Sequence, residues 1–314
     1  MHVEAQAIKA SQRKRSTLSN LWKYRALYFI SLPGLIYFAI FKYVPLAGNV
    51  IAFQNYNIFR GVFKSPWVGW DHFKRMFDYA DFHQILANTL LINLYDLLFG
   101  FTAPIVLALL LNEVRRTAFK RVIQTTIFMP HFLSWVIISG IFIGILSPST
   151  GIINQVLAWI GMEPIYFMAK EQFTRSIIVV SGIWRDSGWG IIVYLAALAA
   201  INPNLYEAAE IDGANRWHQT IYITFPAILP TVTVLFLLNI GNFLDFGFER
   251  VYVFLNPLNN QTGQIFDTYI YEAGLRRGQF SYTTAVGLFK SVSGLALLVI
   301  TNWLSKRATG NSLY

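Results

Sequence analysis

Six apolar stretches, at about 26–47, 85–112, 123–146, 175–200, 227–248 and 283–304, constrain this chain more than any other feature. A helix rises about 1.5 Å per residue, so roughly 20 residues cross a hydrocarbon core about 30 Å thick. Each stretch reaches that length, and the gaps between them are too polar to span. Only 13% of the residues are charged and 55% are hydrophobic, whereas soluble domains carry charge on about a quarter of theirs. The predicted fold is an all-α membrane protein of six transmembrane helices. The first stretch is too long and too aromatic for a cleaved signal peptide and reads as a retained anchor. There is no cysteine, which excludes disulfides and thiolate metal sites. Stability is expected from packing in lipid.

The formal charge of +9 sits mainly at the ends of the apolar stretches rather than on one basic face, so it reports topology and not a nucleic-acid partner. Lys9, Arg13, Lys14, Arg15, Lys23 and Arg25 precede the first stretch. Arg115, Arg116, Lys120 and Arg121 follow the second, and Lys306 and Arg307 follow the sixth. With six crossings all three clusters share one side, so both termini are expected in the cytoplasm. This divides the chain into a basic segment at 1–25, a membrane domain at 26–304 and a tail at 305–314. The opposite loops, 48–84, 147–174 and 249–282, are close to neutral. The fourth-to-fifth connection breaks the charge rule, with Glu207, Glu210 and Asp212 against Arg216 alone. The two halves show no repeat, which weakens a transporter built from inverted repeats within one chain.

That acidic connection, NPNLYEAAEIDGANRWHQTIYITFP at 202–226, has its own local logic. Asn202 suits an N-cap, and Pro203 suits the first helical position, where a missing N–H costs nothing. Leu205, Ala208, Ala209 and Ile211 give a short helix, which Asp212-Gly213 ends with a left-handed cap. A second short helix is expected at about 215–222, with Trp217 and Ile221 on one side. Such a pair forms a compact knob able to transmit force. Its acidity disfavours a resting place on anionic headgroups.

Glu207-Ala208-Ala209, three residues, Gly213, nine residues, Ile223, one residue and Phe225-Pro226 resemble the EAA loop of binding-protein-dependent ABC importer permeases. The family usually has Leu at the position of Phe225, an apolar-for-apolar departure. LPGLIYFAIFKYVPLAGNVIAFQNYN with SPWVGWDHF, MPHFLSWVI and GQFSYTTAVGLFKSV extend the likeness over nearly the whole chain. They are similar to the polysaccharide-type branch of the sugar permeases and, within it, to bacterial alginate importer permeases. The resemblance implies a type I importer fold in which Glu207, Ala208, Ala209, Asp212 and Gly213 couple to a cytoplasmic ATPase. It also implies a second permease subunit, two ATPase subunits that bind ATP and Mg, an external solute-binding protein, and no cofactor on this chain.

Charges at mid-bilayer cost about 2.5–3.5 kcal/mol each on insertion scales, so each invites a functional reading. Arg185 and Asp186 lie in GIWRDSGWG between Trp184 and Trp189. Consecutive helical residues point about 100° apart, so Arg185 and Asp186 are not expected simply to neutralise each other side by side, and at least one needs a partner elsewhere. Gly182, Gly188 and Gly190 give this helix places where it could bend, exposing backbone polar groups that only a cavity or a protein neighbour can satisfy. One reading is a sugar pathway lined by Trp184, Arg185, Asp186, Trp189, Asp245 and Lys290, with Arg185 meeting an acidic substrate. The other is a structural pair of Arg185 with Asp96 or Asp245. For Lys290 the plain alternative is snorkelling to the surface, and for Asp245 it is an interface cap. Gly140 and Gly144 are assigned to helix packing, and Trp67, Trp70 and Trp303 to interfacial belts.

No phosphate loop, HExxH helix or GxSxG elbow occurs, and His2, His72, His83, His131 and His218 lack metal-ligand spacing. A transport subunit is therefore expected. The competing class is a membrane-embedded enzyme acting on a glycan or lipid carrier, with Asp96, Asp186 or Asp245 as acid and base.

Overall fold

The computed structural model describes residues 22–309. The basic cluster from Lys9 to Arg15 and the end of the tail lie outside the described residues. Among the described residues all regular elements are helical, apart from one isolated bridge between Gln54 and Trp67. The long helices are α1 (Arg25–Phe53), α2 (Ala80–Asn112), α3 (Thr117–Phe132), α4 (Trp135–Ile145), α5 (Glu171–Ala199), α6 (Pro203–Ile211), α7 (Arg216–Gly241) and α8 (Phe280–Arg307). Five of these are long and apolar enough to cross a membrane, and α3 with α4 make a sixth only if counted as one bent span.

Prolines shape three of the long helices. π-helical turns at Ala39–Tyr43, Asp96–Gly100 and Thr220–Thr224 each contain the residue four positions before a proline, Pro45, Pro104 or Pro226. A proline ring clashes with that carbonyl in a regular α-helix, and a wider turn makes room for it.

The apolar stretch expected as one span at 123–146 is broken. The axis turns by 107° between α3 and α4. Met129–Phe132 tightens to a 3-10 turn around Pro130, Leu133 and Ser134 are extended, and the Ser134 hydroxyl accepts from Ile137 N at 3.4 Å to start α4. The helix expected at 215–222 is not separate. It continues through the π turn before Pro226 into α7. The stretch read as 227–248 leaves the helix at Gly241, and Gly247 takes φ +94°.

Helix α5 is the hub, packing against α2, α3, α4 and α7. At one end Ile105, Ala108, Leu111, Ile191, Tyr194, Leu198 and Ile228 join α2, α5 and α7. Midway, Ile92, Ile177, Ile178, Phe246, Val251 and Phe254 fill the space under the short helix Phe248–Tyr252. At the other end Met76, Phe82, Ile85, Phe266 and Tyr282 lock α2 to α8. By contrast, α1 is exposed through Gly48 and meets α8 only near its end. Helix α5 runs uninterrupted from Glu171 to Ala199, and its glycines Gly182, Gly188 and Gly190 are points of close approach. A Cβ on Gly182 would lie 1.9 Å from the Arg250 guanidinium, and one on Gly188 2.1 Å from the Ile127 carbonyl oxygen. Gly140 and Gly144, assigned to packing, have no atom within 4 Å of an added Cβ among the described residues.

Candidate functional site

The broken span is held by α5. Its two loosened ends are met by consecutive residues: Arg185 Nε donates to the Leu133 carbonyl at 3.2 Å, and His131 Nδ1 lies 3.0 Å from Asp186 Oδ1. Arg185 also donates from Nη1 to Asp186 Oδ1 at 2.7 Å and lies over the Trp135 ring. The expectation that these neighbours do not simply neutralise each other is overturned for the pair itself, while each also has a partner elsewhere, as the sequence requires of at least one of them. The Cα–Cβ vectors do diverge, but the Arg side chain is long enough to curl back. Neither Asp96 nor Asp245 is its partner. His131, which lacks metal-ligand spacing in the sequence, stacks on Trp189 with centroids 4.8 Å apart and planes 10° from parallel.

Beside this clamp, α2, α5, α7 and the segment after α7 line an open cavity of about 530 Å³. Its polar wall comprises Asp96, Asp186, Asn239, Asn242, Asp245 and Arg250, with Trp189 supplying an aromatic face. Of the six residues read as pathway, Asp186, Trp189 and Asp245 line it, whereas Trp184, Arg185 and Lys290 do not. Trp184 packs on Phe142. Asn239 and Asn242 are exposed on an apolar helix end, a position that a lipid neighbour would make costly.

Arg250 was placed by sequence in an outer loop, yet only 8% of it is exposed. Its Nη2 donates to Asp96 Oδ1 at 2.6 Å and to the carbonyls of Ile178 and Val179, and its guanidinium lies over Phe246. Gly100 and Gly182 make room for the pair, since a Cβ at either would strike Asp96 or Arg250. The hydropathy pattern alone gives no sign of Arg250. The one available signal was an intramembrane Asp96 without an obvious cation.

Lys290 does not snorkel. Its side chain is 14% exposed, and its ammonium bridges Asp267 and, at 3.3 Å, Asp245. A second cavity of about 320 Å³ adjoins this group.

The knob is built locally. The Asn202 side chain accepts from Asn204 N at 3.0 Å, and Pro203 opens α6. At its end Ala214 N donates to the Ala209 carbonyl and Gly213 N to that of Glu210, with Gly213 at φ +78°. This is the six-to-one and five-to-two pattern of a Schellman cap. Tyr206 Oη and Thr224 Oγ1, 3.0 Å apart, tie α6 to α7, and Arg216 reaches Glu113 at the end of α2. Glu207, Ala208, Asp212 and Gly213 are exposed and Ala209 is half-buried. Ile211, Trp217 and Tyr222 stand out around them.

A polar cavity among apolar helices, with a capped knob between two of them and only helices as regular elements among the described residues, is the architecture of a membrane transport component. The sequence pattern of the binding-protein-dependent transport system inner membrane component matches residues 100–310, and the chain belongs to that family. It is 47% identical over 312 residues to the polygalacturonan/rhamnogalacturonan transport system permease protein YteP of Bacillus subtilis (strain 168), covering 99% of this chain and 97% of the relative. Among solved structures it superposes, with a TM-score of 0.88 and 39% identity, on a chain of a bacterial ABC transporter involved in import of the acidic polysaccharide alginate. The superposition covers 94% of this chain and 99% of that one. A chain of the bacterial alginate ABC transporter in complex with alginate pentasaccharide-bound periplasmic protein matches with a TM-score of 0.87 and 38% identity, covering 94% of this chain and 99% of that one. The fold is that of a type I importer permease, and the chain is an inner-membrane sugar-transport permease.

Proposed function

We propose that this permease forms half of the membrane pathway of an ATP-driven importer for acidic oligosaccharides or polysaccharide. The observation that carries the pathway is the cavity of about 530 Å³, whose carboxylates, amides and Trp189 ring lie among apolar helices. Carboxylates and amides bind sugar hydroxyls, and aromatic faces stack on pyranose C–H surfaces. The acidic class is supported by the relatives, since polygalacturonan and alginate are both acidic polysaccharides. A second permease subunit closes the other wall, and an external solute-binding protein delivers the substrate, as with the alginate-bound periplasmic protein of the related transporter. Two cytoplasmic ATPase subunits bind ATP and Mg and grip the knob through Glu207, Ala208, Ala209, Asp212 and Gly213. In this reading the chain crosses the membrane six times with α3 and α4 as one broken crossing, and both termini are cytoplasmic.

Two assays test this. Copurification in detergent should recover an ATP-hydrolysing subunit with the chain, and its absence together with glycan turnover by the isolated chain would favour the enzyme reading. Single cysteines at 12 and 118 should label from the cytoplasm and those at 64 and 260 from outside. The reverse pattern would overturn the orientation.

A further inference from the structure

Two carboxylates share the Lys290 ammonium, and they are not equivalent. Asp267 sits on the short helix Phe266–Tyr269 beside the fully buried Phe266, and its side chain is 17% exposed. Its Oδ2 is buried with no hydrogen-bond partner among the described residues. Withdrawing Lys290 from Asp267 would leave a buried charge uncompensated, which is strongly unfavourable. Asp245 lies in the non-helical segment after α7 with its side chain 67% exposed. An exposed pair contributes little, so this contact is the replaceable one.

Position gives the replaceable contact a use. Asp245 and Asn242 line both the large cavity and the smaller one that holds Lys290 and Asp267. Asp245 therefore stands at the junction, between the pathway and the lysine. The other two cations nearby are committed elsewhere. Arg250 is held by Asp96 and two backbone carbonyls, and Arg185 by Asp186, the Leu133 carbonyl and the Trp135 ring.

We propose that Lys290 is the residue that recognises a uronate carboxylate in the pathway, and that Asp245 holds in this structure the place the substrate carboxylate takes. A sugar carboxylate arriving from the large cavity displaces Asp245 from the ammonium and leaves the count of charges around Lys290 unchanged. A neutral sugar has no charge with which to compete. The inference rests on the acidic-oligosaccharide reading above and goes beyond it by naming the residue that enforces the choice.

The test compares uptake of a galacturonate trimer with that of its methyl ester, a neutral molecule of nearly the same shape. The assembled importer and its binding protein are used throughout, so the binding protein's own preference cancels in comparisons among variants. Asp245→Asn should raise the acid-to-ester uptake ratio several-fold. Lys290→Gln combined with Asp267→Asn, which removes both charges and leaves no buried carboxylate unpaired, should lower it roughly tenfold, the scale of one charge-assisted hydrogen bond. Asp245→Asn should have no further effect in that double background. A ratio unmoved by these changes would overturn the proposal. So would a gain from Asp245→Asn that persists without Lys290, because Asp245 would then act by general repulsion. If the parent importer carries neither trimer nor ester, the oligosaccharide reading itself fails.

Discussion

Gly213 and Gly182 are both essential glycines in this reading, for opposite reasons. Gly213 has open space around it and is needed for its backbone, at φ +78°, whereas Gly182 has helical backbone and no space, with the Arg250 guanidinium where a Cβ would go. The knob of α6 is held by caps made within a few residues of each other, and its acidic side chains are left exposed. The pathway wall is held by side chains far apart in sequence, as with Arg250 and Asp96. A locally capped knob keeps its shape with few long-range contacts, which suits the docking role proposed for it. A wall assembled from four elements has a shape that depends on all of them.

The largest break should come at the wall. Arg250→Met leaves Asp96 without its cation and should cost about 3–5 kcal/mol, seen as a lower melting temperature of the detergent-solubilised complex. Adding Asp96→Asn should recover most of the loss. Recovery failing in the double variant would mean that the guanidinium's packing on Phe246, not its charge, carries the effect. Gly182→Ala should cost less, about 1–3 kcal/mol from overpacking, while Gly140→Ala, with nothing nearby, should be close to neutral in the same assay. Equal effects at the two glycines would contradict the close approach.

At the knob the expected effect falls on coupling more than on stability. Gly213→Val imposes a left-handed backbone on a β-branched residue, a strain of about 1–2 kcal/mol or somewhat more, yet nothing packs against it. Insertion should survive and melting should fall by no more than this local strain, while transport and substrate-stimulated ATP hydrolysis fall. Retained coupling in this variant would remove the role given to the knob.

The same contrast decides what the sequence disclosed. Asn202, Pro203 and Gly213 signal their roles to neighbours two to four residues away, so the cap, the helix start and the left-handed turn were readable. The bend after α3 had a partial signal in Pro130 and Ser134, which a count of apolar residues passes over. Arg250 gave none of its own, because its surroundings look like a polar loop, and the intramembrane Asp96 that called for a cation is 154 positions away. Arg185 and Asp186 were readable as important but not in their geometry, since which partner a long side chain finds is settled only by packing. Asn239 and Asn242 were amides in an apolar run and could have been read as a polar face bordering the pathway.

The central claim is that the cavity between α2, α5 and α7 carries the substrate. A single cysteine replacing Asn239, in a chain that has none of its own, tests it most directly. In the assembled importer a water-soluble maleimide should modify this position, and a galacturonate oligomer delivered by the binding protein with ATP should slow that reaction. A cysteine at Gly140 should show no such protection. Modification at position 239 that is indifferent to substrate, in an importer that still transports, would place the pathway elsewhere.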